Sequence, residues 1–261
     1  MRCRTWRRWM KSGNWSHRSA KIAVSMMTRE TLTASLLTKR LLSQSSQTYH
    51  FEFAVDAAFR FVPGQFISVL AERTLPPGHA RAGEVRTDTR AYSLASAPEP
   101  GKIALCVNRV AQDGDAGFFS NLLCDLEPGA EIPFHGPHGN FILREITGPV
   151  LLLAEETGIA PVRSILQAMP DMEAYLIQSS AASVPALYGE EFTARSALHY
   201  VSVTSEGAHE RSLAAVDALL AAHPEIREAY IVGLSAFVNA HRAQLKERGW
   251  DRKQIVFERY D

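Results

Sequence analysis

The period of the apolar residues changes near Thr147-Gly148-Pro149, and that change constrains the fold more than any other feature of the chain. From Leu32 to about Leu143 the pattern is short β-type runs broken by Gly and Pro. Residues 49–55 alternate apolar and polar side chains, as a half-buried strand does. Phe66-Ile67-Ser68-Val69-Leu70 follows a Pro63-Gly64 turn, and residues 103–107 and 131–134 read as further strands. Evenly spaced short strands predict an antiparallel barrel. Residues 75–89, with two prolines, two glycines and mixed charge, read as an exposed hairpin or loop.

After Pro149 the pattern becomes one of alternation. Apolar runs at residues 150–154, 174–177, 200–203, 229–232 and 254–257 are separated by helical stretches at 162–169, 186–195, 212–222 and 236–248. The first helix begins at Pro161, an acceptable first helical residue. Strands alternating with helices predict a parallel, doubly wound sheet with ligands at the carboxyl ends of its strands. The expected fold class is therefore an N-terminal antiparallel β-barrel followed by a doubly wound α/β domain. The expected divisions are a head of residues 1–29, a barrel domain of 30–146 and an α/β domain of 147–261.

A chain of 261 residues suits two cores better than one. With 46% hydrophobic and 21% charged residues it has a globular composition, which excludes general disorder. The longest apolar runs are far too short to span a bilayer. The three cysteines, Cys3, Cys106 and Cys124, are too few to supply the four thiolates of a [2Fe–2S] centre. They lack metal-ligand spacing, and an odd number argues against a disulfide framework. A reducing, cytoplasmic location is expected. No nucleic-acid partner is expected, and the chain is expected to be a monomer or weak dimer.

Zero net charge hides an asymmetry. Eight basic residues and no acidic one precede Glu30; the remainder holds 20 basic against 28 acidic residues. The head also contains Trp6, Trp9 and Trp15. One reading is an Arg- and Ser-rich targeting peptide. The other, which we favour, is an upstream start codon with Met26 or Met27 beginning the functional protein. Three tryptophans are odd in a transit peptide, and no folding pattern begins before Leu32. The head is expected to be disordered under either reading.

Three short motifs carry chemistry. In Arg90-Ala91-Tyr92-Ser93, Arg90 offers a planar fork of donors to a diphosphate. Tyr92 can lie against a flat heterocycle, and the Ser93 hydroxyl can reach a ring nitrogen. Gly117-Phe118-Phe119-Ser120 places backbone N–H groups and a hydroxyl at an expected helix start, a cradle for a diphosphate and hence for FAD over FMN. Thr157-Gly158-Ile159-Ala160-Pro161 follows the first apolar run of the second half. Each alone has a plain structural reading: a strand with a buried Tyr, a Ser helix cap, a tight turn. In this order they describe a flavin site followed by a dinucleotide site.

With these residues in view, the chain resembles plant-type ferredoxin–NADP reductase and its bacterial relatives over about Leu32 to Asp261. Further matching segments are Pro63-Gly64-Gln65-Phe66, Leu105-Cys106-Val107-Asn108-Arg109-Val110, Ser120-Asn121-Leu122-Leu123-Cys124-Asp125-Leu126, His135-Gly136-Pro137, Leu187-Tyr188-Gly189-Glu190-Glu191-Phe192 and Phe257-Glu258-Arg259-Tyr260. The resemblance implies an FAD-binding barrel joined to a nucleotide-binding domain. It implies that Arg90, Ala91, Tyr92 and Ser93 hold the diphosphate and isoalloxazine. Cys106, Val107 and Asn108 would lie beside the adenosine half, and Gly117 to Ser120 at the diphosphate. Thr157, Gly158 and Gly233 would receive NADP or NAD. Ser93, Glu258 and Tyr260 would be the catalytic set, with Glu258 near the nicotinamide and Tyr260 covering the flavin.

The implied activity is electron transfer between NAD(P)H and ferredoxin or flavodoxin through FAD. The alternative is an FAD-binding electron-transfer subunit or redox sensor with a degenerate nicotinamide site. Departures from the family pattern bear on that choice. Where relatives usually read Gly-Thr-Gly, this chain has Glu155-Glu156-Thr157-Gly158. Val232 replaces the Cys that relatives place before Gly-Leu. Ser205-Glu206-Gly207 stands where NADP-specific members carry Ser-Arg, and no Lys or Arg occurs between Arg163 and Arg195. Carboxylates beside an anionic diphosphate are unfavourable, so weakened or altered dinucleotide use is expected. His135 and His138 flank Gly136-Pro137 without further ligands nearby, and no metal site is expected.

Overall fold

The computed structural model describes residues 30–75, 78, 80–110, 117–146 and 148–261. The expectations about the basic head therefore fall outside the described residues. Six strands form the first sheet: β1 (Leu32–Ser43), β2 (Thr48–Ala54), β3 (Phe66–Thr74), β4 (Val85–Ser93), β5 (Lys102–Asn108) and β6 (Glu131–His138). Their order is β4-β3-β6-β1-β2-β5, with antiparallel pairing throughout. A Leu94–Leu105 bridge and the Ala95 N–H donating to the Ala104 carbonyl (2.8 Å) tie the end of β4 to β5 and close the barrel.

Period two fills the barrel core. Phe51 and Phe53 of β2, Ile67 and Val69 of β3, and Leu105 and Val107 of β5 all point inward, with Phe134 of β6 edge-on to Phe59. Helix α1 (Phe118–Asp125) adds Leu123 and Cys124 to the same core. The exposed hairpin or loop expected at 75–89 is a hairpin, with β3 and β4 paired out to Thr74 and Val85. This ribbon is polar, and ion pairs hold it: Arg73 to Asp88 at 2.5 Å and Arg86 to Asp88 at 2.7 Å.

The second sheet is wholly parallel: β7 (Val150–Glu155), β8 (Ala174–Ser180), β9 (Leu198–Thr204), β10 (Glu228–Gly233) and β11 (Ile255–Arg259), in the order β11-β10-β7-β8-β9. Its helices are α2 (Ile159–Ala168), α3 (Gly189–Thr193), α4 (Ala208–Ala222) and α5 (Ser235–Glu247). The helix expected at 186–195 shrinks to α3, because Tyr188 adopts a left-handed backbone (φ 59°) and Leu187 and Tyr188 are drawn into the core. Helix α2 starts ahead of Pro161, after a 3₁₀ turn at Glu156–Gly158.

One face of this sheet packs on α4 and α5 through Val216, Leu220, Phe237 and Val238. The other carries Leu152, Ala154, Leu176, Tyr230 and Val232 into one core with Ala95, Ala104 and Cys106 of the barrel. Strand β5 thus serves two cores, with alternate residues facing the barrel and the seam. Among the described residues no helix is long and apolar enough to cross a membrane.

Gly64 fixes how the barrel meets the residues leading to the second sheet. It has φ +94°, and a Cβ there would lie 1.8 Å from the Phe141 carbonyl oxygen. Gly64→Ala is expected to cost about 2–3 kcal/mol and to lower the melting temperature by roughly 5–10 °C in calorimetry.

Candidate functional site

The residues singled out in the sequence converge on the seam. Strand β4 ends in Arg90-Ala91-Tyr92-Ser93, with Arg90 opposite Val69, Tyr92 opposite Ile67 and Ser93 opposite Phe66. Alternation puts Arg90 and Tyr92 on one side of the strand and Ser93 on the other. The Arg90 guanidinium is exposed and has no anionic partner among the described residues. Tyr92 lies half-buried against the barrel core, and burial raises its phenol pKa.

Ser93 reaches the second sheet. Its Oγ donates to Glu258 Oε1 at 3.1 Å, linking the end of β4 to β11. Parallel register places Glu258 beside Val232, and Val232 beside Ala154, so these side chains share the seam-facing side of the sheet. Tyr260 follows, its N–H held by the Gly233 carbonyl at 3.1 Å. Among the described residues the buried Tyr260 hydroxyl has no hydrogen-bond partner. Desolvation and the Glu258 charge hold its pKa well above the usual tyrosine range.

The other positions are more mixed. Ser120 Oγ donates to the Gly117 carbonyl and accepts from the Val110 N–H, both at 3.1 Å, so this hydroxyl is used internally. Gly117 has no side-chain cap, which leaves backbone N–H groups at Phe118 and Phe119 to offer an anion. Arg73 lies 5.7 Å from the Phe118 ring centroid, bringing the β3–β4 ribbon against the start of α1. Cys106 turns its side chain into the seam and Val107 into the barrel, whereas Asn108 Nδ2 donates to the Ser46 carbonyl at 2.8 Å. Burial pushes the Cys106 thiol up to about 12, so it is inert at neutral pH.

At the carboxyl end of β7, Thr157 and Gly158 lie in the 3₁₀ turn, next to Gly233. A Cβ on Gly158 would lie 2.8 Å from the Val232 carbonyl oxygen. Glycine is therefore required here by contact with β10, where the sequence pointed to close approach of a ligand. Glu156 has φ +47°, a left-handed conformation costly for a residue with a Cβ. Glu155 accepts the Leu234 N–H at 2.9 Å. Burial and the neighbouring Glu156 raise its pKa, against the pull of that hydrogen bond. Among the described residues no group of side chains could hold a metal ion. His135 instead meets the Thr31 hydroxyl at 3.1 Å.

Sequence reasoning missed the polar clasp that aligns the two sheets. Arg163 of α2 donates to the Ala95 carbonyl (2.6 Å) and to Glu191 (2.7 Å), and stacks 4.5 Å over the Tyr188 ring centroid. Ser164 donates to the Ser96 carbonyl (2.6 Å), and Gln167 accepts from the Ala97 N–H (3.1 Å). The available signal was a charged residue, Arg163, between the buried stretches Ile159–Val162 and Ser164–Leu166 of α2.

Residues 33–142 match the family described as Oxidoreductase FAD-binding domain. Ferredoxin–NADP reductase B of Sorangium cellulosum is 38% identical over 170 residues, spanning 64% of this chain and 61% of that protein. The chloroplastic ferredoxin–NADP reductase of Spinacia oleracea is 32% identical over 167 residues, spanning 56% of this chain and 44% of that one. This chain is similar to the ferredoxin reductases. It covers only part of these relatives' length. The 2-halobenzoate 1,2-dioxygenase electron transfer component of Burkholderia cepacia is also 32% identical, over 147 residues, or 56% of this chain and 38% of that protein. The fold agrees with ferredoxin–NADP⁺ reductase from Plasmodium falciparum with 2′P-AMP: TM-score 0.74 at 17% identity, over 89% of this chain and 97% of that one.

The donor set suits FAD. An exposed, unneutralised Arg90 and free N–H groups at α1 suit a diphosphate, while Tyr92 and Tyr260 offer aromatic surface. Arg90→Ala is expected to weaken FAD retention by about 1.5–3 kcal/mol, measured as the dissociation constant by flavin fluorescence. A second expectation concerns Glu258, which burial pushes up to about 7 while the Ser93 hydrogen bond pulls the other way. A carboxyl whose pKa is raised by folding stabilises the fold below its unfolded pKa, and loses that contribution as pH rises through about 7. Between about pH 5 and about pH 8, the wild-type melting temperature is expected to fall relative to that of Glu258→Gln.

Proposed function

We propose that this chain is a flavoprotein oxidoreductase passing electrons between NAD(P)H and a separate one-electron carrier, ferredoxin or flavodoxin. Residues 30–146 hold FAD and residues 147–261 receive the nicotinamide dinucleotide. The observation that carries this reading is the Ser93–Glu258 hydrogen bond. It joins the flavin motif at the end of β4 to the strand of the parallel sheet that lies on β10. The relatives named ferredoxin–NADP reductase and dioxygenase electron transfer component support the same reading.

Bound FAD would supply two-electron exchange with a nicotinamide and one-electron exchange with a carrier. The protein's part is positioning, exclusion of water and proton handling. Arg90 and the backbone at Gly117, Phe118 and Phe119 would hold the diphosphate. Tyr92 and Tyr260 would bound the flat ring, and Thr157, Gly158 and Gly233 would line the dinucleotide's entry. Glu258, with a pKa near neutrality, can hold a proton at its carboxyl and exchange it along the hydrogen bond with Ser93 Oγ. The three cysteines of these 261 residues are too few for a [2Fe–2S] centre, which fits the reading in which electrons pass to a separate carrier.

The dinucleotide site departs from a strong NADP site in two testable ways. Glu206 lies exposed just beyond the carboxyl end of β9, where the family resemblance puts the group that grips the 2′-phosphate. Glu156 occupies a left-handed position that glycine takes without strain. Turnover of the FAD-loaded protein with ferricyanide as acceptor measures both. Glu206→Arg is expected to raise kcat/KM for NADPH over NADH, and Glu156→Gly to lower KM for both nucleotides. Ferricyanide reduction that ignores both nucleotides would refute the assignment.

A further inference from the structure

In an open parallel sheet a ligand crevice forms where successive strands are laid down in opposite directions from a common start. Here that point lies between β7 and β10: the chain goes from β7 to β8 and β9 on one side, then to β10 and β11 on the other. In this protein the crevice is bridged from within. Glu155 ends β7 and sends its carboxylate across to β10, where Oε2 accepts the Leu234 N–H at 2.9 Å. The side chain lies directly over Gly233. A Cβ on that glycine would come 2.7 Å from Glu155 Cβ and 3.0 Å from its Oε2. The space that glycine leaves at the mouth of the crevice is thus taken up by the glutamate.

The neighbouring donors are taken the same way. Asp261 Oδ1 accepts the Ser235 N–H at 2.9 Å and the Ser235 Oγ at 2.7 Å. Leu234 and Ser235 lead into α5, whose first N–H groups form the positive end of that helix. Glu156 adds a further carboxylate from the 3₁₀ turn, and His209 of α4 is the basic group acting on Glu155. Two carboxylates of the chain therefore satisfy donors that an anionic ligand entering between β7 and β10 would otherwise meet.

We infer that Glu155 limits nucleotide affinity by competing with the diphosphate of a nicotinamide dinucleotide, its Leu234 bridge having to open or lose its charge before the ligand seats. This rests on the reading that the dinucleotide enters between β7 and β10. The competition is with the diphosphate, which NADP⁺ and NAD⁺ share, so it lowers affinity for both alike. It differs in this from Glu206, whose effect falls on the 2′-phosphate.

The test is calorimetric titration of FAD-loaded protein with NADP⁺ and, separately, NAD⁺. E155Q keeps an oxygen for the Leu234 N–H but loses the charge; E155A removes the bridge; D261A frees the Ser235 N–H. E155Q is expected to tighten both nucleotides about tenfold, with E155A at least as strong and D261A smaller. The gain should shrink as salt is raised. Wild type that binds while E155Q and E155A bind no tighter would overturn the inference and make Glu155 a structural tie. Tightening for NADP⁺ alone would overturn it too, by pointing to the 2′-phosphate. If neither wild type nor any variant binds either nucleotide, the nicotinamide reading itself fails, and the inference with it.

Discussion

The guanidinium of Arg163 fixes one domain against the other, and the geometry of the candidate site depends on it. It sits in α2, five residues beyond Gly158, and donates to the carbonyl of Ala95, two residues beyond Ser93. Glu191 balances its charge and the Tyr188 ring covers it; the Tyr188 hydroxyl in turn meets His50 Nδ1 at 2.9 Å. Burial, with the charges of Arg163 and Arg40, lowers the His50 pKa to about 4, so this partner is neutral at pH 7. Glu191 is partly exposed, so breaking this pair costs less than breaking a fully buried one. The clasp couples the turn at the head of α2 to the strand that carries Arg90, Tyr92 and Ser93. The Ser93–Glu258 bond, 3.1 Å long, crosses the same seam.

Much of the fold was legible because it rests on local period. Alternation marked β2, and the strand–helix alternation after Pro149 marked the parallel sheet. Boundaries failed where tertiary contacts override local pattern. The hairpin of β3 and β4 was read as such, but the strand extent of β4 was not, because it has no apolar alternation and is held by Arg73, Arg86 and Asp88. The helix before Phe192 was expected too long because the left-handed backbone of Tyr188, drawn into the seam, leaves no mark on hydrophobic period. In the site, residue chemistry was legible and direction was not. Glu155 read as a carboxylate facing the ligand's diphosphate, whereas its bond to Leu234 depends on β10, nearly eighty residues later. Ser120 read as a donor to a diphosphate, whereas its hydroxyl satisfies Val110 and Gly117.

The contrast between a well-kept flavin motif and an altered dinucleotide loop has a physical basis. The proposed flavin contacts come from a barrel strand that the fold needs in any case, with Tyr92 packed on the core and Ser93 tied to Glu258. The proposed dinucleotide loop sits on a turn whose charges can change without disturbing either core. Glu156 pays for its left-handed backbone locally, and Glu206 is exposed. Charge at the loop can therefore vary while Gly158 and Gly233 stay fixed by contact with Val232 and Glu155.

The central claim is that the seam between barrel and parallel sheet brings a nicotinamide to a bound flavin. Anaerobic mixing of the FAD-loaded protein with NADPH and, in parallel, NADH tests it most directly, with flavin absorbance as the readout. The expected result is loss of the oxidised flavin band with both nucleotides, with little preference between them. Protein that keeps its FAD and is bleached by dithionite, yet stays oxidised under excess of either nucleotide, would contradict the claim. The chain would then be a flavin-holding subunit or redox sensor.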